Sequence, residues 1–147
     1  MKIWVDADAC PKAIKDMLFR VAERRQITVT LIANSWLRVP ESPFISCVAV
    51  GQGPDIADDE IVRRCEAGDL VVTADIPLAA RVVEKGGAAL DPRGTLYDSN
   101  NVKQILAMRD LMVSLRGSGV ETGGPGGFGQ KERNLFANEL DRFVAKG

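Results

Sequence analysis

The chain contains no histidine. That excludes Ser-His-Asp and Cys-His catalysis and every histidine-based metal site. Cysteine is scarce as well. Cys10, Cys47 and Cys65 are odd in number, widely spaced and without a CxxC pair, which argues against a disulfide framework and a structural zinc site. No apolar run approaches the length of a membrane span, and no secretory leader is recognisable, so the cytoplasm is the expected compartment and no membrane partner is expected. The net charge of −1 leaves no global basic field to recruit a polyanion. What remains is the chemistry of carboxylates, water and hard cations.

Carboxylates are present in a suggestive pattern. Ile3-Trp4-Val5-Asp6-Ala7-Asp8 and Leu70-Val71-Val72-Thr73-Ala74-Asp75 are apolar runs that end in aspartate. Each is followed by a proline, Pro11 or Pro77, suited to the first turn of a helix. In open α/β sheets, ligands bind outside the carboxyl ends of the strands. Two such ends bearing carboxylates point to divalent-metal or phosphate chemistry.

With 147 residues, 46% hydrophobic and 27% charged, the chain suits one soluble domain with a full core. Strands are expected over Ile3–Asp6, Ile27–Ala33, Ile45–Val50, Asp69–Thr73 and Ala88–Leu90. Helices are expected over Pro11–Arg25, from Asp58 or Asp59 as N-cap to about Ala67, and over Pro77–Lys85. Their alternation implies a mostly parallel central sheet with helices on both faces. Asp91-Pro92-Arg93-Gly94 reads as a turn that closes an α/β core over residues 1–95. Residues 96–147 read as a helical C-terminal extension of the same single domain, with helices over Asn101–Arg116 and Lys131–Lys146 flanking a glycine-rich loop at 117–130.

Asp6 and Asp8 can bind Mg²⁺ or Mn²⁺ directly or through water, since hard cations want oxygen ligands. The competing role for either residue is to cap the next helix. Asp75 faces the same choice at the Pro77 helix. Asp55, Asp58 and Asp59 crowd one helix start, where acids favour the helix dipole, yet they exceed what capping needs, so Asp58 or Asp59 is a further metal candidate. Cys10 precedes a helix N-terminus, which can lower a thiol pKa, but with no partner nearby a packing role is favoured. Thr122-Gly123-Gly124-Pro125 and the glycines after it could cradle a phosphate with Lys131 and Arg133, although the Walker pattern is absent. Lys12, Arg63, Arg64, Arg81 and Arg93 lie towards the strand-end side, where Arg81, Arg93 and Lys131 are the candidates for phosphate binding.

Taken together, Val5-Asp6-Ala7-Asp8-Ala9-Cys10-Pro11, Gly53 to Asp59, Val72 to Ala79, Asp91-Pro92-Arg93-Gly94, Thr122 to Pro125 and Phe136 to Asp141 resemble the YaiI/YqxD family of uncharacterised bacterial proteins. That family is in turn similar to PIN-like domains, metal-dependent nucleases with a Rossmann-like sheet. The resemblance implies metal-ligand positions at Asp6, at Asp58 or Asp59 and at Asp75, with Asp8 and Thr73 also on the pattern. One departure is that PIN domains usually carry another acid after the first helix, where this chain offers Asn34, Ser35 and Glu41.

The implied activity is a Mg²⁺- or Mn²⁺-dependent phosphodiesterase, ribonuclease-like, acting on RNA or another nucleic acid. Asp6, Asp75 and Asp58 or Asp59 would hold the metal, with Asp8 as ligand or base. Two rivals stand beside it. One is an RNA- or nucleotide-binding module without catalysis. The other is a phosphatase with Asp6 of the Asp-x-Asp pair as nucleophile.

Overall fold

A computed structural model describes residues 1–53, 55–117 and 128–146, with no side chains at 116, 117 and 146. The strands are β1 (Ile3–Asp6), β2 (Val29–Ala33), β3 (Ile45–Ala49), β4 (Leu70–Val72), β5 (Ala88–Leu90) and β6 (Leu96–Tyr97). The helices are α1 (Lys12–Arg25), α2 (Ile56–Arg64), α3 (Ile76–Glu84), α4 (Val102–Gly117) and α5 (Gln130–Lys146). A single 3₁₀ turn, Ala7–Ala9, joins β1 to α1.

The strands form one sheet in the order β3-β2-β1-β4-β5-β6. All neighbours are parallel except β5 and β6, which run antiparallel. This is the expected α/β architecture, consistent with a PIN-like fold. Ile3, Val5, Leu31, Leu70, Val72 and Leu90 face α1 and α5. Trp4, Ile32 and Val71 face α2 and α3, and Ala89 faces α3 and α4. Strands covered on both sides must be apolar at nearly every position, which is why β1, β2 and β4 read as continuous apolar runs. The C-terminal segment contributes to both layers. α4 packs Val102 against Ala79, while α5 drives Phe136 and Leu140 into the cluster of Ile3 and Val5.

Several boundaries differ from the sequence expectation. Gln26 adopts the left-handed conformation (φ 56°) after α1, and the Ile27 N–H turns back to Ala22 O, so the β2 ladder starts at Val29 rather than Ile27. α2 begins at Ile56 and ends at Arg64. Its N-cap is Asp55, with φ 65°, which moves Asp58 and Asp59 off the cap and into the first turn. β6 has no counterpart among the expected strands. It is two residues long, too short for any periodicity to show. Gly94 makes its turn at φ 99°, close under α5. A Cβ there would lie 2.6 Å from Leu135 Cβ.

Topology fixes where a ligand would sit. The chain runs outward from β1 through β2 to β3 on one side, then returns to β4 and continues to β5 on the other. The order therefore reverses between β1 and β4. Such a switch point opens a crevice outside the strand ends, because the two following connections leave on opposite faces. Here α1 leaves β1 on one face and α3 leaves β4 on the other.

Candidate acidic site at the sheet switch point

Val5 pairs with Val72 across β1 and β4, which sets Asp6 beside Thr73 at the carboxyl edge. Thr73 is 1% exposed, and its hydroxyl donates to Asp6 Oδ2 at 2.9 Å. The Thr73 hydroxyl oxygen also accepts the Asp75 N–H at 3.0 Å. Asp75 Oδ1 in turn accepts the Leu78 N–H at 3.0 Å. Asp75 is thus the N-cap of α3, the capping role weighed for it, and stands near enough to raise the pKa of Asp6 and Asp58.

Asp58 reaches the crevice from the first turn of α2. Its carboxyl is pushed up to about 6, first by desolvation, then by the charges of Asp75, Asp6 and Asp55, with Arg81 opposing. Burial likewise raises Asp6, against the Thr73 hydrogen bond and with help from Asp75 and Asp8. Asp6, Asp58 and Asp75 therefore feel one another from three separate elements. Like charges gathered with only Arg81 opposing raise each other's pKa, which is the electrostatic sign of a site short of positive charge.

The other expected residues divide. Asp8 is exposed, and its Oδ2 accepts the Asn34 N–H at 2.8 Å, tying the 3₁₀ turn to the segment after β2. Asp59 points to the rim, where Arg81 Nη1 donates to it at 2.9 Å. Arg81 is therefore already engaged by a carboxylate, although an exposed pair of this kind is worth little and yields to a better anion. Arg93 lies beyond β5 with its guanidinium 3.8 Å from Glu132 at the start of α5. Lys131 is exposed on α5, which covers the face opposite α2 and α3. Arg63 and Arg64 both pair with Glu60 on their own helix. Of the glycine-rich loop, residues 118–127, Thr122 to Pro125 included, lie outside the described residues.

Cys10 lacks the lowered pKa that a helix N-terminus can give a thiol. It is buried, and desolvation pushes its thiol up to about 12. Burial outweighs the neighbouring helix N-terminus and the charge of Lys15. Cys47 and Cys65 are also free thiols, with Cys65 buried.

Sequence reasoning missed Asp69, at the opposite edge of the sheet. It is 5% exposed and accepts hydrogen bonds from Lys2 N–H (3.0 Å), the Trp4 indole (3.1 Å) and Glu66 N–H (3.0 Å). An aspartate opening an apolar run carries no sign that distinguishes such a clasp from a turn residue.

The donor chemistry suits a hard divalent cation, since every candidate ligand is a carboxylate oxygen. Among the described residues no three acids stand close enough to enclose an ion by themselves. No helix among the described residues is long and apolar enough to cross a membrane.

Comparison with known proteins agrees with the architecture-bearing segments. The UPF0178 protein of Shewanella halifaxensis is 60% identical over 146 residues, covering 99% of this chain and 97% of the relative. That of Shewanella sediminis is 61% identical, and that of Maridesulfovibrio salexigens 55%, with the same coverage. No solved structure matches the chain. The family model described as Uncharacterized BCR, YaiI/YqxD family, matches residues 4–146, and the chain belongs to that family.

Proposed function

We propose that this protein is a Mg²⁺- or Mn²⁺-dependent phosphodiesterase acting on RNA or a related nucleic acid in the cytoplasm. The observation that carries the reading is that Asp6, Asp58 and Asp75, brought by three elements to the reversal between β1 and β4, lie near enough to raise one another's pKa. Asp6 and Asp75 would hold the cation, with Asp58 completing its surroundings directly or through water. A bound divalent ion would lower the pKa of an attached water and neutralise charge building on the phosphate.

The chain's own residues supply orientation. Thr73 fixes the Asp6 carboxylate through Oδ2. The α3 cap fixes Asp75 through Oδ1. Asp8, exposed and near enough to raise the pKa of Asp6, would accept a proton from water, and Arg81 would exchange Asp59 for a phosphate. Free thiols suit a reducing compartment.

The test is Mn²⁺-dependent cleavage of a fluorescent single-stranded RNA by wild type, Asp6→Asn and Asp75→Asn. Each variant should lose at least about 100-fold in rate, the scale of removing one preorganised charge-stabilising group, while retaining the wild-type circular dichroism spectrum. Undiminished cleavage in both variants would refute the assignment.

A further inference from the structure

We infer that a single-stranded polynucleotide runs along a groove between α1 and the segment 34–44, with an unpaired base stacked on Trp36. This deepens the proposed function and rests on it for the fate of the bound strand. The binding itself is argued from a different part of the surface.

Two adjoining trenches lie along the outer side of α1. One, of about 250 Å³, is bordered by Lys12, Lys15, Phe19, Leu31, Leu37 and Arg38, with Asp16. The other, of about 550 Å³, is bordered by Phe19, Arg20, Arg24, Pro40 and Ile45, with Glu23. Phe19 lines both, so the two adjoin at that side chain. Their floor is apolar and their rims carry five basic side chains against two acidic ones, on a chain whose net charge is −1. Of the five, Arg24 pairs with the exposed Asp141 at 3.6 Å, whereas Lys12, Lys15, Arg20 and Arg38 take part in no ion pair among the described residues. Unneutralised cations grouped over an apolar floor match a ligand with phosphates on one side and flat apolar faces on the other.

Trp36 identifies the ligand's second property. It is 66% exposed, an unusual setting for the largest apolar side chain. It stands one residue before Leu37, which lines the groove, and two after Asn34, whose N–H is held by Asp8. The tryptophan therefore belongs to the short segment that joins the groove wall at Leu37 to the amide held by Asp8. Aromatic platforms beside basic tracks bind single strands, because each unpaired base offers a face for stacking. In a duplex those faces are covered by neighbouring pairs, and proteins then read grooves and backbone instead.

The experiment is fluorescence anisotropy with a labelled twelve-residue oligouridylate in EDTA, where no divalent metal supports turnover. Trp36→Ala should weaken binding about tenfold or more, from the loss of one stacked base, with Trp36→Phe intermediate. Lys15→Glu combined with Arg38→Glu should weaken binding further and flatten its salt dependence. Wild-type tryptophan emission should be quenched on binding through Trp36, since Trp4 is buried. No binding by wild type, binding unchanged in these variants, or equal affinity for a blunt duplex or polyglutamate would overturn the inference. Groove-dependent binding without Mn²⁺-dependent cleavage would uphold the groove and refute the phosphodiesterase reading. Cleavage and binding both indifferent to the groove variants would do the reverse.

Discussion

Thr73 donates its hydroxyl hydrogen to Asp6 at 2.9 Å while its oxygen receives the Asp75 amide at 3.0 Å. One buried hydroxyl thus couples the end of β1 to the start of α3 across the sheet's reversal. Thr73→Val keeps the shape and removes the coupling. It should destabilise the fold by about 1–3 kcal/mol, because Asp6 and the Asp75 N–H lose a buried partner, and lower activity about 10–100-fold, as loss of a ligand-orienting partner does. Thr73→Ser should restore both, as read from urea melts and cleavage rates.

The acidic crevice should make stability fall as pH rises. Asp58 titrates near 6 in the folded protein, against an ordinary aspartate value of 3.8. Between those values the folded state holds more protons than the unfolded state, so unfolding free energy declines with pH. The stabilisation by protonated Asp58 is complete below about 4 and lost as pH passes 6. Asp58→Asn should remove this slope, stabilising the protein at pH 7.5 relative to wild type but having little effect at pH 4. Mn²⁺ should raise the wild-type melting temperature at pH 7.5 far more than at pH 4. An equal rise at both pH values would contradict a carboxylate site.

Asp69 should matter for stability and not for chemistry. Asp69→Ala strands the Trp4 indole and two main-chain N–H groups, at a cost of about 3 kcal/mol or more. Trp4 emission should red-shift as water reaches the vacated space. Cleavage by the remaining folded fraction at low temperature should match wild type, since the clasp lies at the amino edge of the sheet.

Gly94→Ala should loosen the docking of α5. The added methyl would meet Leu135 Cβ at 2.6 Å and its carbonyl carbon at 2.8 Å, at a φ of 99° that disfavours side chains. A loss of about 2 kcal/mol is expected, within the range of backbone-strain substitutions. Thermal denaturation measures it.

Much of the fold was legible because its strands are buried on both faces. Ile3 to Val5, Val29 to Ala33 and Leu70 to Val72 cannot be mistaken for amphipathic elements, and the prolines and glycines between them mark where each stops. The adjacency of Asp6 and Asp75 followed from the same alternation. Other features depend on contacts no local pattern encodes. Asp55 takes the N-cap position of α2 with a left-handed backbone and no side-chain capping bond. The Asp59–Arg81 pair joins two helices far apart in sequence. The unpaired charges beside Trp36 are visible only once α1 lies against the segment 34–44.

The position of Phe136 bears on how the protein is made. This side chain is fully buried against Ile3, Val5 and Leu90, although it enters the chain only near its end. During synthesis, β1, β4 and β5 emerge long before α5 can cover them. The growing chain therefore carries a sheet face covered by α1 alone until α5 clears the ribosome, and partly covered apolar surface of this kind is prone to aggregate. Chains halted at residue 117 should bind the dye ANS and associate with chaperones, whereas completed chains should do neither.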